Sequence, residues 1–147
     1  MKKTLSFYTK FGWMSAIEVN TKITEIKFSK TKNIGKSLIL KKLKKRIHEY
    51  FSKTKNKITL PIKIEGSVLQ KKIWSELKKI PYGKTKSYGE IAKIVKTSPR
   101  YVGNVCGQNK HLLIVPCHRV IRTDGSLGGF SSSGGLSLKK RLLHLEQ

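Results

Sequence analysis

Ser87-Tyr88-Gly89-Glu90-Ile91-Ala92-Lys93-Ile94-Val95-Lys96-Thr97-Ser98-Pro99-Arg100 holds two helix starts in fourteen residues, and that spacing decides the fold. Ser87 and Glu90 form a capping box, in which the two side chains satisfy N–H groups that a helix start leaves unpaired. Ile91, Ala92, Ile94 and Val95 follow as the apolar face. Ser98-Pro99 opens the next helix, with serine as the cap and proline at the first position, where its missing N–H is not needed. Upstream, Ser67 and Gln70 repeat the capping box before Val68, Ile73, Trp74 and Leu77, a run that Pro81-Tyr82-Gly83 ends. A support helix followed by two short helices around a tight turn is the layout of a helix-turn-helix, whose last helix usually meets DNA. Helical hairpins that bind nothing share the pattern.

Downstream, Leu112-Leu113-Ile114-Val115 reads as a short buried strand that ends in Pro116-Cys117-His118-Arg119. A thiol is only slightly ionised at neutral pH; nearby cations or an oriented base make it a nucleophile. Adjacent side chains on a strand point to opposite faces, so His118 reaches Cys117 only if the chain turns or a water bridges them. Otherwise the pair is a buried cysteine beside a solvated histidine.

The first half is plainer. Ile17 to Val19 suggests one strand, and Ile23, Ile26 and Phe28 another. Ser37 to Tyr50 has helical periodicity through Leu40, Leu43, Ile47 and Phe51. The polar basic stretch 52–57 divides the chain, giving a small α/β domain at 1–56 and a second domain at 57–147.

Composition narrows the class. The chain has 147 residues and is 37% hydrophobic, enough for a core. No apolar run approaches the ~20 residues of a bilayer span, so no membrane partner is expected. After Met1-Lys2-Lys3-Thr4, Lys10 and Gly12 interrupt any signal-like stretch, and a cytoplasmic monomer is expected. Two cysteines, Cys106 and Cys117, are too few for a disulfide framework, and no zinc motif is present, so neither metal nor other cofactor is expected. With 32 Lys and Arg against 8 Asp and Glu, the net charge of +24 attracts polyanions, nucleic acid first among them.

Ile114-Val115-Pro116-Cys117-His118-Arg119-Val120-Ile121 resembles the active-site signature of the O6-alkylguanine-DNA alkyltransferases. The likeness extends in order over roughly 60–146. It takes in Trp74 to Leu77, Ile80 to Thr85, Ser87 to Ala92, Arg100 to Gly103, Asn109, Gly128-Gly129-Phe130, Gly135-Leu136 and the tail Lys139 to Glu146. It implies an α+β, two-part chain: a small ribonuclease-H-like domain, then a mainly helical domain with a winged-helix-like helix-turn-helix. The implied activity is direct reversal of DNA damage. A methyl or larger alkyl group would pass from O6-alkylguanine to Cys117, irreversibly and once per molecule; O4-alkylthymine stays open as a second substrate.

By the same resemblance, His118 takes the thiol proton through a water, Glu146 orients His118, and Asn109 braces the turn before Cys117. Guanine O6 lies within the stacked pair, so the nucleotide must be flipped out. Arg100 fills the gap, and Tyr88 crowds the neighbouring phosphate and reaches the flipped base. Ser98, Tyr101 and Arg119 join the DNA contacts. The helix is offered to the minor groove with weak sequence preference. Val115, Val120 and Phe130, Ser131, Ser132 and Ser133 line the base pocket. Three residues depart from the usual pattern: Phe130 replaces a tyrosine, Lys110 a proline and Tyr101 an alanine. Cys106 falls inside the last helix as a small buried hydrophobe. The resemblance leaves other classes to weigh. A non-catalytic binder of alkylated DNA is argued against by Cys117, which such relatives replace. A helix-turn-helix regulator that senses alkylation is argued against by the lack of a separate activation domain, and a cysteine hydrolase would turn over.

Overall fold

In the computed structural model, which describes residues 1–129 and 135–147, the chain is α+β and divides into two compact units. Residues 1–64 and 110–114 make the first unit; residues 65–109 and 115–147 make the second. The division therefore falls at Ile64/Glu65 rather than after Asn56, because Ile23 pairs with Ile62 and holds the connecting stretch to the first unit. No helix among the described residues is long and apolar enough to cross a membrane.

The first unit is an antiparallel sheet, β1 (Lys2–Thr9), β2 (Gly12–Val19) and β3 (Lys22–Lys27), with one helix, α1 (Leu38–Phe51). The strands expected at 17–19 and 23–28 fall in β2 and β3. Strand β1 left no such signal, because its buried residues, Thr4, Phe7 and Thr9, do not alternate and two of them are threonines. Ser37 caps α1, accepting from the Leu40 N–H, and Leu40, Leu43, Ile47, Tyr50 and Phe51 form its buried face. The segment 110–114 completes this unit: the Ile26 N–H donates to the Lys110 carbonyl, and His111 Nε2 lies 3.0 Å from the Ile23 carbonyl.

The second unit holds the helices read from the capping signals: α2 (Val68–Lys78), α3 (Tyr88–Val95) and α4 (Pro99–Gly107). Both capping boxes, Ser67 with Gln70 and Ser87 with Glu90, are made reciprocally. Lys96 ends α3 in the left-handed conformation, and Ser98 caps α4 by accepting from the Tyr101 N–H. Trp74 Nε1 donates to the Val105 carbonyl at 3.2 Å, tying α2 to α4. Strands β4 (Lys86–Ser87) and β5 (Val120–Ile121) pair in parallel and fasten the residues after Cys117 to the start of α3.

The strand expected at 112–115 does not form. Leu113 takes a left-handed turn (φ 74°), and a 3₁₀ turn follows over Cys117–Arg119. Four apolar residues in a row specify burial, which all four have, without specifying extension. The last helix, α5 (Gly135–Leu145), buries Leu138, Leu142 and Leu145. Leu136, on the first turn, is 53% exposed. Leu142 is fully buried. Leu142→Ala should cost about 2–5 kcal/mol of stability through lost burial plus the cavity left behind. The urea unfolding midpoint measures this, and an unchanged midpoint would contradict the packing.

Candidate active site

The turn at Cys117–Arg119 places three chemically distinct side chains in the interior of the second unit. Asn109, just past α4, fixes the approach: its Nδ2 donates to the Val115 carbonyl at 2.8 Å, and its amide also hydrogen-bonds the Cys117 thiol. The Cys117 N–H then donates back to Val115 at 2.8 Å. The chain thus turns at the cysteine, where a continuous strand would have separated Cys117 and His118.

Glu146, at the end of α5, organises the next layer. His118 Nε2 lies 2.8 Å from Glu146 Oε2. Arg119 donates to the same carboxylate twice, Nε to Oε1 at 2.9 Å and Nη2 to Oε2 at 2.8 Å, and its Nη1 donates to the Ile80 carbonyl at 2.8 Å. Ringed by guanidinium donors, the carboxylate is an acceptor toward the imidazole, so Nε2 carries the hydrogen and Nδ1 the lone pair. Burial pushes the His118 pKa below the usual imidazole value, while Glu146 opposes that shift. His118 is therefore a neutral base near pH 7. Burial likewise raises the Cys117 thiol; Asn109 and the Lys139 cation oppose this.

Arg119, expected among the DNA contacts, is corrected by this geometry. Its side chain is buried, and its guanidinium is spent on Glu146 and Ile80. Arg100, Ser98 and Tyr101 stand at the start of α4, Arg100 and Ser98 exposed and Tyr101 half-buried.

A cavity of about 410 Å³ adjoins the cysteine. One face of α4 forms a wall through Pro99, Gly103, Cys106 and Gly107; Tyr88, Cys117, Arg122 and Gly128-Gly129 close the rest. Cys106 is thus more than packing, since it shares the cavity with Cys117, and burial with Cys117 nearby pushes its thiol up to about 12. Val115 and Val120, both buried, are not among the residues that line the cavity. Their carbonyls are already engaged, Val115 by Asn109 and Cys117, Val120 by Lys139. Phe130, Ser131, Ser132 and Ser133 lie outside the described residues. At Gly128 (φ 72°) an added Cβ would fall 2.9 Å from the Tyr88 ring and hydroxyl, so only glycine lets Tyr88 sit there.

Two cations with no site role assigned from the sequence stand near the cavity. Arg122 is exposed at the cavity rim. Lys139 is fully buried, with Nζ 2.6 Å from the Val120 carbonyl, 2.5 Å from Leu127, 3.2 Å from Gly129 and 3.2 Å from the Tyr88 hydroxyl. An ammonium only donates, so Tyr88 accepts from it and keeps its own hydrogen for another partner. Burial, with Cys106 and Cys117 adding to it, pushes the Tyr88 pKa to about 12, which keeps that hydrogen in place at neutral pH. Among 32 Lys and Arg, Lys139 stood out only by its place in the tail motif and beside Leu138.

Residues 68–147 match the family model of the 6-O-methylguanine DNA methyltransferase DNA-binding domain. The chain belongs to that family. A methylated-DNA--protein-cysteine methyltransferase of Methanosarcina acetivorans is 41% identical over 104 residues, 69% of this chain but only 65% of that protein. A solved O6-methylguanine methyltransferase of Mycobacterium tuberculosis superposes with a TM-score of 0.88 at 28% identity, over 99% of this chain and 93% of that one. The same organism's OGT in complex with DNA gives 0.86 at 28% identity, over 97% and 92%.

The geometry fixes the direction of one titration. An NMR titration should give His118 a midpoint below the ordinary value of about 6.5. Glu146→Gln should move it lower still, because the carboxylate is what favours the charged ring. A midpoint that rises in the variant would overturn the assignment.

Proposed function

We propose that this protein repairs DNA by transferring an alkyl group from the O6 atom of guanine to Cys117 Sγ. The single observation that carries the reading is the cysteine on the cavity wall, followed in the chain by His118, whose buried ring is hydrogen-bonded to Glu146. Family membership and the DNA-bound relative support the substrate class.

The chemistry follows from the positions. The thiol proton passes through a bridging water to His118 Nδ1, whose ring Glu146 orients. Sulfur attacks the alkyl carbon, the carbon–oxygen bond breaks, and its electron pair leaves with guanine. Tyr88, held as a donor by Lys139, gives its hydrogen to a ring nitrogen of the departing base, and Lys139 faces the phenolate left behind. Tyr88 regains a proton through solvent as His118 loses its own. The product is a thioether, which has no electrophilic carbonyl for water to attack, and Cys117 is not regenerated. Loss of the base in His118→Ala should slow transfer by roughly 10²-fold or more, and loss of its orienting carboxylate in Glu146→Gln should slow it as well.

On the DNA side, the exposed start of α4 is offered to the minor groove, where a repair protein needs little base code. Arg100 takes the place of the flipped nucleotide, with Ser98 and Tyr101 beside it. The protein acts as a cytoplasmic monomer. Three antiparallel strands followed by a helix support a ribonuclease-H-like first unit, and the β4–β5 pair beside α3 and α4 supports a winged-helix-like second.

Two experiments test the reading. With O6-methylguanine DNA in tenfold excess, repair should stop at one equivalent, with one methyl group on the Cys117 peptide by mass spectrometry and none in Cys117→Ala. Continued product formation would sink it. Arg100→Ala should slow reaction with duplex DNA more than with the free modified base, because only the duplex demands extrusion; equal losses would remove the finger role.

A further inference from the structure

The positive charge is concentrated away from the helix-turn-helix. The first unit holds 18 of the 32 Lys and Arg and three of the eight Asp and Glu, a net +15; the second holds 14 and five, a net +9. Two of the first unit's three acids are occupied, Glu18 by Ser37 and Thr21, and Glu49 by Arg46. The cations are densest on α1. Its apolar face is buried, and the opposite face presents Lys41, Lys42, Lys44 and Lys45, all exposed.

Helix stability does not explain that face. Lys41–Lys45 and Lys42–Arg46 are i,i+4 pairs of like charge, and Lys41–Lys44 and Lys42–Lys45 are i,i+3 pairs; each is repulsive. Three of the four lysines, Lys41, Lys42 and Lys44, sit in the N-terminal half of α1, whose first turn has no acidic residue and whose macrodipole disfavours cations. An outside polyanion would relieve the repulsion. A lipid surface is a poor candidate, because α1 has its apolar face committed to the core and leaves only Leu38, at its first position, exposed to insert. The one arginine of α1, Arg46, is paired with Glu49, and the four lysines are flexible point charges suited to phosphates rather than to base edges.

We propose that the lysine face of α1 is a second DNA-contacting surface, which binds the phosphate backbone of duplex DNA independently of α4. The inference rests on the DNA-repair reading above. It assigns the first unit a share of affinity without sequence selection.

The test measures duplex affinity of the full chain against salt concentration. Each phosphate contact contributes about 0.9 to the slope of log K against log salt. The variant K41Q/K42Q/K44Q/K45Q should lower that slope by about 2 to 3. A control of equal charge, K2Q/K22Q/K32Q/K57Q, drawn from exposed lysines elsewhere in the same unit, should lower it by less than one. Cys117 alkylation by the free modified base should stay at the wild-type rate in both. The α1 variant should unfold at no lower temperature than wild type, since it loses only repulsion. Equal slopes for the two variants would mean diffuse charge and overturn the proposal, as would an α1 variant with the wild-type slope. Wild-type protein that ignores duplex DNA would instead defeat the repair reading.

Discussion

One buried carboxylate holds the site together. Glu146 accepts two hydrogen bonds from Arg119 and one from His118, all at 2.8–2.9 Å, and lies 3.4 Å from the Gly83 N–H. A buried carboxylate is tolerable only when its lone pairs are matched, and removing one partner leaves the other charge stranded. Three segments distant in sequence are therefore obliged to meet: the end of α5, the turn after Pro116, and the loop after α2. Arg119 extends the link to the Ile80 carbonyl, and Tyr82 adds one from its hydroxyl to the Leu145 carbonyl at 3.3 Å. The imidazole inherits its orientation from this meeting.

The helix-turn-helix and the cysteine are also parts of one object. Asn109 closes α4 onto the Val115 carbonyl, and β5 pairs with β4 at the cap of α3. The residues before and after Cys117 are thus fastened to the two helices of the motif. Small side chains at Gly103, Cys106 and Gly107 let one face of α4 become a cavity wall. A base displaced at the exposed end of α4 would find the nucleophile a short way along the same helix.

Legibility followed the physics of each signal. The helices of the second unit were readable because capping is local: Ser87 with Glu90 and Ser98 with Pro99 act within four residues. Cys117, His118 and Glu146 were readable only through motif order, since nothing local says that residue 146 returns to residue 118. The turn at Leu113 was hidden because an apolar run reports burial but not backbone direction. The Arg119 assignment failed for a related reason: a cation is indistinguishable in sequence from its neighbours until its partner is known, and here the partner is a carboxylate 27 residues away. Strand β1 shows the converse, with threonines at buried positions erasing a period that the backbone nevertheless keeps.

Lys139 completes the electrostatics. Arg119 is balanced by Glu146, but Lys139 is held by carbonyls and a phenol, with no carboxylate partner among the described residues. Burial disfavours its charge, and the two thiols in their ionised form favour it. The same burial disfavours the Cys117 thiolate, and Lys139 favours it. Each group is thus the other's missing counter-charge. At rest the thiol is neutral and the ammonium is held by carbonyl dipoles. When the proton leaves sulfur, the Lys139 cation favours the anion that forms. After transfer to carbon the sulfur is neutral again and cannot re-form that pair. The attraction therefore acts on the reacting state more than on either end state, which is the condition for it to accelerate the step instead of merely stabilising the protein.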